Sequence, residues 1–322
     1  MRIPVVVISD KKLNFAVATL FVNLLETKSP KTFYELNALV TPDFSDSDIE
    51  KILSIEKKYP GQCSINVIKM DNRFDNINNR TKYIANACAY KMCLGEMFPQ
   101  YKKVIYLDTD IIVFKDLSEM FEIELDDNYI GGVFSLSHYL YRTKLLYKLG
   151  IPNMYSYVNA GVLLLNLDLI RKDNIEPKLH SLIGTYDDSV DQHIYNKVCY
   201  GKIKKIPLKY NVTQSCENLY KTNLCGVYWT KLELDTAMQD PVVYHYTCSY
   251  KPWRYFNLRY AVRWNQYYAM TPFYNKNLKL QVYKYSVCKY KNVNFKIFEK
   301  LGIKCLNILN RLKSFRSIAY KI

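Results

Sequence analysis

Apolar residues follow two different spacings through the first half of the chain. Short continuous apolar runs are typical of strands that are buried on both faces of a sheet. Segments with apolar positions three and four residues apart are typical of helices that pack on a core. The strand-like runs cover residues 3–9, 34–41, 64–70 and 103–114, and the helical segments cover residues 14–28, 45–59 and 85–98. This alternation predicts an α/β fold with a mostly parallel sheet and flanking helices.

The alternation continues through the second half with shorter elements. Strands are predicted at residues 129–135, 157–167, 202–206 and 242–247, and helices at residues 116–121, 169–183 and 189–198. No internal repeat or low-complexity linker separates these elements in the sequence. We therefore predict one domain over residues 1–254 and a basic, aromatic extension over residues 255–322.

Length and composition narrow the class of protein. A chain of 322 residues with 49% hydrophobic residues can bury a sizeable core, which argues against a disordered or fibrous protein. The first apolar run is too short to span a membrane and no cleavage-site pattern follows it, so we expect a cytoplasmic protein. Nine cysteines without a CxxC pair fit reduced thiols better than disulfides or a zinc site.

The net charge of +15 belongs mainly to one end of the chain. Residues 275–322 contain ten Lys, two Arg and one acidic residue, so they carry +11, and the rest of the chain carries +4. A nucleic-acid-binding protein would account for such a tail. However, the charge is not spread along the α/β body, and no RNP, KH or zinc-finger pattern is present. We expect no nucleic-acid partner and keep that role only as an alternative.

The tail also has an amphipathic pattern. From Phe295 onward, apolar residues recur at helical spacing among Lys and Arg residues. A basic amphipathic helix suits the interface of an anionic membrane, so we predict peripheral attachment to the inner face of a membrane. Packing of this helix on the main domain is the alternative that the pattern leaves open.

Two aspartates, Asp108 and Asp110, interrupt the apolar segment 103–114. Residues two apart on a strand point to the same side, so an extended segment would aim both carboxylates at one point. Unpaired carboxylates in apolar surroundings are costly unless a cation neutralises them. A divalent metal ion at the carboxyl end of a parallel strand is one explanation. Two surface acids at the point where the strand leaves the sheet are the other.

His245 lies near the end of the last predicted strand, and Lys251 and Trp253 follow it. Imidazole and carboxylates together form a ligand set that accepts Mn²⁺. Lys251 would add a positive charge for a phosphate group. A single histidine in a strand is more often a satisfied core residue, so His245 by itself does not decide between the two explanations.

Four motifs together resemble a known family. They are YLDTDIIVFKDLSEMF at residues 106–121, YVNAGVLLLNLD at 157–168, DQHIYN at 191–196 and HYTCSYKPW at 245–253. In this order and at these spacings they are similar to the motifs of glycosyltransferase family 8. These retaining enzymes include glycogenin and the bacterial lipopolysaccharide galactosyl- and glucosyltransferases. The resemblance covers residues 3–253.

The resemblance implies a GT-A fold and a metal-dependent retaining transfer of a hexose from UDP-galactose or UDP-glucose. The acceptor would be a glycan or lipid-linked glycan, in lipopolysaccharide or other cell-surface glycan synthesis. Asp108, Asp110 and His245 would bind Mn²⁺ or Mg²⁺. Residues 1–115 would form the nucleotide-binding half, and residues 116–254 the half that binds the sugar and the acceptor.

Further roles come from the same resemblance. The residues implied in binding the UDP-sugar are Ser9, Asp10, Phe15, Lys91, Thr109, Asn159, Ala160, Gly161 and Lys251, besides Asp108 and Asp110. Gln192 and Asp191 are implied as the catalytic pair. An amide is a poor nucleophile, so front-face attack by the acceptor hydroxyl is favoured. Asp191 is expected to accept a hydrogen bond from a sugar hydroxyl, with a role as nucleophile left open.

Three positions depart from the family pattern. Lys91 stands where the family often has arginine, and lysine does not reproduce bidentate contacts. Cys248 stands where the family has glycine. His193 replaces an aspartate and is expected to be a surface or helix-facing residue. These departures leave a catalytically silent UDP-sugar-binding homologue as the alternative to an active enzyme.

Overall fold

The structure is a computed structural model of the chain. It describes residues 1–74, 86–135, 146–147, 149–151, 157–186, 190–221, 229–247 and 249–275. Met1–Val282 forms one compact unit. Cys248 and most of the predicted extension, residues 276–322, lie outside the described residues. The domain boundary at residue 254 stays a prediction.

The strands of the described part form two sheets. They are β1 (Arg2–Ser9), β2 (Phe33–Val40), β3 (Cys63–Lys69), β4 (Lys103–Leu107), β5 (Ile111–Val113), β6 (Ile130–Phe134), β7 (Val158–Asn166), β8 (Ile203–Lys205), β9 (Val212–Thr213) and β10 (Val243–His245). The main sheet has seven strands in the order β3, β2, β1, β4, β7, β6, β8. β7 is antiparallel to β4 and β6, and the other neighbours are parallel. The predicted α/β fold with a mostly parallel sheet is confirmed.

The central strands of the main sheet are covered on both faces. Successive residues of a strand point to opposite faces, and Val5, Val6 and Val7 of β1 are all fully buried.

The described α-helices are α1 (Asn14–Thr27), α2 (Asp46–Lys58), α3 (Leu94–Met97), α4 (Ser118–Phe121), α5 (Leu167–Lys172), α6 (Glu176–His180), α7 (Val190–Val198), α8 (Gln214–Lys221), α9 (Lys231–Gln239) and α10 (Ala261–Ala269). None of them is long and apolar enough to cross a membrane.

The apolar segment 103–114 is not one strand, so that prediction is wrong. β4 ends at Leu107 in the main sheet, and β5 begins at Ile111 in a second sheet of order β5, β10, β9. The backbone N–H of Asp108 still donates to the carbonyl oxygen of Gly161 at 2.8 Å. The chain then turns and passes into the second sheet, where Ile111 lies opposite His245. Asp108 and Asp110 therefore occupy the crossing between the sheets.

Two predicted helices also differ from the structure. The segment 85–98 contains a 3₁₀ helix, Asn86–Cys93, followed by the single turn α3. The segment 169–183 is divided between α5 and α6. Asn174 lies between them with a φ of 50°, a left-handed conformation that ends a right-handed helix.

Helix α10 lies within the predicted extension and packs against α1. Trp264 of α10 is 1% exposed, and its ring lies edge-on to Phe15 of α1 with ring centroids 6.3 Å apart. Phe15 also meets Trp253 edge-on at 5.6 Å. This aromatic cluster joins the start of α1 to the segment that follows β10.

Candidate functional site

Asp108, Asp110 and His245 come together at the crossing between the two sheets. Each offers one ligand atom, and the three atoms lie within 4.8 Å of one another. His245 Nε2 is 3.2 Å from Asp110 Oδ1 and 3.6 Å from Asp108 Oδ2. The His245 side chain is 3% exposed, and that of Asp108 is 35% exposed. The cluster is thus buried on the histidine side and open on the aspartate side.

Hydrogen bonds assign the proton on the His245 ring. The backbone N–H of Gly161 donates to Asn159 Oδ1 at 3.0 Å, so this atom is an acceptor. Asn211 therefore presents its Nδ2 group to Asn159, at 2.8 Å. Its Oδ1 atom then faces His245 Nδ1 at 3.1 Å. With Nδ1–H donating to Asn211, the lone pair of Nε2 points toward the carboxylates.

These groups fit a divalent cation. Two carboxylate oxygens and an imidazole lone pair repel one another at these distances unless a positive charge lies among them. Oxygen and imidazole ligands suit Mn²⁺ and related ions. Two lysines carry positive charge near the cluster. Lys251 contacts the Oδ2 atom of Asp110, and Lys91 approaches the Oδ1 atom of Asp108. Neither ammonium group therefore lies between His245 Nε2 and the two carboxylate oxygens that face it.

Two lysines flank the cluster. Lys251 Nζ donates to the Asp110 carboxylate and to the carbonyl oxygen of Tyr246. Burial favours a higher pKa for the Asp110 carboxyl, but the charge and the hydrogen bond of Lys251 hold that pKa well below its usual range. Burial raises the pKa of the Asp108 carboxyl, and Lys91 opposes this rise.

Lys91 is buried with an acidic partner. Its side chain is 1% exposed, and Nζ donates to the Asp191 carboxylate and to the carbonyl oxygen of Ala160. It also lies 3.8 Å from Asp108 Oδ1. Burial favours a lower pKa for this ammonium group, but Asp191 and Asp108 raise the pKa above its ordinary value. Lys91 is therefore charged at neutral pH and holds Asp191 beside the metal-ligand cluster.

Gly161 makes room for the cluster. A Cβ atom built on Gly161 would overlap the His245 ring and lie 2.5 Å from Asp108 Oδ2. No side chain fits between this strand and the ligand group. Gly161 was expected to contact the UDP-sugar. The structure shows a second requirement for glycine at this position, because the side chains of two metal-ligand candidates approach β7 closely here.

Gln192 and Asn159 form an amide cluster against the start of β7. Gln192 Oε1 accepts hydrogen bonds from the backbone N–H of Ala160 at 3.1 Å and from Asn159 Nδ2 at 3.0 Å. Asn196, one turn further along α7, accepts from the Val158 backbone N–H at 2.7 Å and donates to its carbonyl oxygen at 2.8 Å. Side chains of α7 therefore form hydrogen bonds with the backbone N–H and C=O groups at the start of β7.

Four of the residues expected to bind the UDP-sugar lie near this edge of the sheet or next to the metal-ligand cluster: Ser9, Asp10, Phe15 and Thr109. β1 and β4 are parallel neighbours, with Val7 opposite Leu107. Ser9, the last residue of β1, and Asp10 after it therefore lie at the same edge as Asp108, which follows β4. The Ser9 hydroxyl donates to the Asp10 carbonyl oxygen at 2.9 Å, and the Asp10 carboxylate caps the short helix after it. Phe15 belongs to the aromatic cluster with Trp253, and Thr109 is buried.

The structure also shows residues that the sequence analysis missed or misplaced. Asn211 contacts both His245 and Asn159. It was not identified as a site residue from the sequence, because no sequence motif links this amide to a histidine so far along the chain. His193 is fully buried, not at the surface. Its Nδ1 atom lies 2.6 Å from the hydroxyl oxygen of Tyr157.

Comparison with known proteins identifies the family. The family model described as Glycosyl transferase family 8 matches residues 4–257. A putative glycosyltransferase of Haemophilus influenzae is 28% identical over 154 residues, which are 47% of this chain and 46% of that protein. The lipopolysaccharide 1,3-galactosyltransferase of Salmonella typhimurium is 24% identical over 222 residues, 66% of this chain and 63% of the enzyme. The matched region thus spans less than two thirds of either relative.

A solved structure shares the fold. The galactosyltransferase LgtC, in complex with donor and acceptor sugar analogs, superposes with a TM-score of 0.71 at 20% sequence identity. The match covers 85% of this chain and 98% of that one. The chain therefore has the GT-A fold of this structure.

Proposed function

The chain belongs to glycosyl transferase family 8, and from this membership we propose that it is a metal-dependent retaining hexosyltransferase. Its donor is UDP-galactose or UDP-glucose, and its acceptor is a glycan. The observation that carries the proposal is the convergence of Asp108, Asp110 and His245 at the edge of the sheet where β1 ends at Ser9. This is the edge at which α/β proteins hold nucleotides.

Asp108, Asp110 and His245 would hold Mn²⁺ or Mg²⁺. A bound cation stabilises the negative charge that develops on UDP as the glycosidic bond breaks. Lys251 lies beside this position and supplies a second positive charge for the diphosphate. Its contact with Asp110 holds the ammonium group at the cluster.

We assign Ser9, Asp10 and Phe15 to the binding of uracil and ribose. Thr109, which lies between Asp108 and Asp110 in the chain, is assigned to the same nucleotide site. Asp10 is part-exposed and already oriented by the backbone N–H of Lys12. Phe15 presents an aromatic ring held by Trp253, which suits packing against a base. These contacts would fix the nucleotide before transfer.

The donor sugar is assigned to the other side of the cluster, at Asn159, Ala160, Gly161, Asp191 and Gln192. Lys91 donates to the Asp191 carboxylate and orients it, which suits a carboxylate that accepts hydrogen bonds from sugar hydroxyl groups. The Gln192 carbonyl oxygen already accepts two hydrogen bonds from the protein, which makes it a weak nucleophile. This favours direct attack by the acceptor hydroxyl on the face from which UDP leaves.

The proposal also covers the acceptor and the location in the cell. A small pocket beside Asn159 and Asn211 is also lined by Ser135 and Thr213, and these side chains offer hydrogen bonds to a single hydroxyl group of an acceptor. We assign the acceptor to this side of the site. The basic tail is proposed to attach the enzyme to the anionic inner face of a membrane, where a lipid-linked glycan of lipopolysaccharide type would be accessible.

A panel of UDP-sugars tests the proposed reaction. Release of UDP is measured for each donor with the purified protein, in Mn²⁺ and in EDTA. We expect one UDP-hexose to be hydrolysed only in the presence of the metal ion. Metal-dependent binding of UDP without turnover of any donor, with or without a glycan acceptor, would instead support a silent homologue.

Replacement of Asn211 by leucine is expected to weaken Mn²⁺ binding by about tenfold to a hundredfold, because residues that orient a ligating histidine commonly have this effect. Leucine removes the acceptor for His245 Nδ1–H and the donor to Asn159. The measurement is a titration of Mn²⁺ by calorimetry. Asn37→Leu is the matched control, since Asn37 is a buried amide in β2. Equal Mn²⁺ affinity in both variants would exclude this role for Asn211.

A further inference from the structure

Tyr157 and His193 form a buried polar pair behind Gln192. Tyr157 is 1% exposed and His193 is 0% exposed. The Tyr157 hydroxyl oxygen lies 2.6 Å from His193 Nδ1 and 3.1 Å from Gln192 Nε2. Neither Tyr157 nor His193 has a role in the function proposed above. Burial of two polar side chains in contact with a catalytic candidate calls for an explanation.

The orientation of the Gln192 amide follows from the backbone. The N–H group of Ala160 only donates hydrogen bonds, so the atom of Gln192 that faces it is the carbonyl oxygen. The amide nitrogen therefore faces Tyr157 and donates to its hydroxyl oxygen. Tyr157 thus selects one of the two orientations of the amide.

The contact with Gln192 indicates which group donates in the contact with His193. The Tyr157 hydroxyl oxygen accepts from Gln192 Nε2 at 3.1 Å, so its single proton is available for His193 Nδ1, which lies 2.6 Å away. With the Tyr157 hydroxyl donating to Nδ1, the ring carries its proton on Nε2.

Packing holds the pair in place. The Tyr157 ring lies in a small apolar cluster with Leu146, Leu149 and Ile151. The His193 ring meets Tyr186 edge-on, with ring centroids 5.8 Å apart. His193 is carried by the same helix, α7, as Gln192. The hydrogen-bonded pair therefore ties the Gln192 amide to residues that lie before β7.

We propose that Tyr157 and His193 are positioning residues that fix the Gln192 amide for sugar transfer, with Tyr157 donating to His193 Nδ1 and accepting from Gln192 Nε2. The role in transfer rests on the proposed function, since it assumes that Gln192 faces the donor sugar. The hydrogen-bond arrangement does not rest on it. The two parts are tested separately.

The hydrogen-bond arrangement is tested by nitrogen NMR of the full chain labelled with ¹⁵N-histidine. The chain has four histidines, and the signal of His193 is assigned by its loss in His193→Asn. We expect the neutral ring with the proton on Nε2 and an unprotonated Nδ1. A ring protonated at Nδ1 would overturn the proposal, whether or not the protein is a transferase.

The positioning role is tested by the kinetics of UDP release from the preferred donor. Tyr157→Phe and His193→Leu are expected to lower kcat by about tenfold to a hundredfold, because small displacements of a catalytic group have effects of this size. KM for the donor and Mn²⁺-dependent binding of UDP should change by less than about threefold, since the metal-ligand cluster is not altered. A fall in UDP affinity that accounts for the whole loss of activity would contradict a positioning role.

Rescue by a conservative variant separates positioning from packing. The asparagine of His193→Asn can place an acceptor near the position of Nδ1, so it should restore most of kcat relative to His193→Leu. Tyr34→Phe is the control for loss of a buried hydroxyl, because Tyr34 is fully buried in β2 and accepts from the Leu117 backbone N–H at 3.0 Å. It should lower the thermal midpoint but not kcat. If His193→Asn is as inactive as His193→Leu, or Tyr34→Phe loses kcat equally, the proposal fails.

Discussion

Replacement of Asp110 by asparagine is expected to reduce metal-dependent release of UDP by at least about a hundredfold while the fold is retained. Asp110 is the ligand closest to His245 Nε2, at 3.2 Å. An asparagine can still accept from Lys251, and its amide nitrogen can donate to Nε2. The variant would thus replace the metal ion with a hydrogen bond inside the cluster.

The measurement is the initial rate of UDP release at saturating Mn²⁺, with the thermal midpoint recorded for each protein. Asp127→Asn is the matched control, because it makes the same change of charge at an exposed carboxylate that pairs with Lys202. We expect this control to keep the rate of the unmodified protein. An Asp110→Asn variant with undiminished Mn²⁺-dependent activity would show that this carboxylate is not a metal ligand.

Gly161→Ala is expected to lower Mn²⁺ affinity by at least about a hundredfold. The new Cβ atom would occupy the position of the His245 ring and lie 2.5 Å from Asp108 Oδ2. Since interiors are close-packed, the ring has to move away from the carboxylates or β7 has to shift. Either movement separates the three ligand atoms. A Mn²⁺ titration by calorimetry measures the loss directly.

Gly131→Ala is the control for an overpacked strand. Its Cβ atom would lie 2.8 Å from the Leu125 side chain, away from the ligand cluster. Overpacking of this kind costs about 1–3 kcal/mol of stability, so the thermal midpoint should fall. Mn²⁺ affinity should stay unchanged. If Gly161→Ala loses stability but keeps its Mn²⁺ affinity, the tight approach of Gly161 to the ligands is not required for the site.

The main-sheet strands were predictable because their signal is local. β1 is a buried apolar run from Ile3 onward, β2 is mostly buried, and β3 keeps apolar residues at alternate positions. Their predicted bounds differ from the structure by at most one residue at each end. The helix predicted at residues 45–59 corresponds to α2, which Ser45 caps by accepting from Asp48 N–H. Burial on both faces and capping chemistry both leave a record in neighbouring residues.

The crossing between the sheets was not predictable from hydrophobicity. Ile111, Ile112 and Val113 are as buried as the residues of β4, so the two strands look like one apolar run. Their separation depends on pairing with β10, which is far along the chain. The two aspartates were therefore identified correctly as unusual, but the reason given for their common direction was wrong. They meet because the chain turns, not because it stays extended.

Contacts behind the ligands were also hidden from the sequence. The roles of Asn211 and Tyr157 depend on partners such as His245 and His193, which are more than thirty residues away. A motif identifies residues that act on a ligand more readily than residues that orient them, because the second group has no fixed spacing to the first. The same limit applies to Lys91, whose partner Asp191 is 100 residues away.

Binding of UDP to the purified chain, measured by calorimetry in Mn²⁺ and again in EDTA, tests most directly whether Asp108, Asp110 and His245 form a metal site for a nucleotide. We expect saturable binding of one UDP per chain in Mn²⁺ and a large loss of affinity in EDTA. UDP that binds equally well in EDTA, or that does not bind in Mn²⁺ to a folded protein, would contradict a metal-dependent UDP-sugar site.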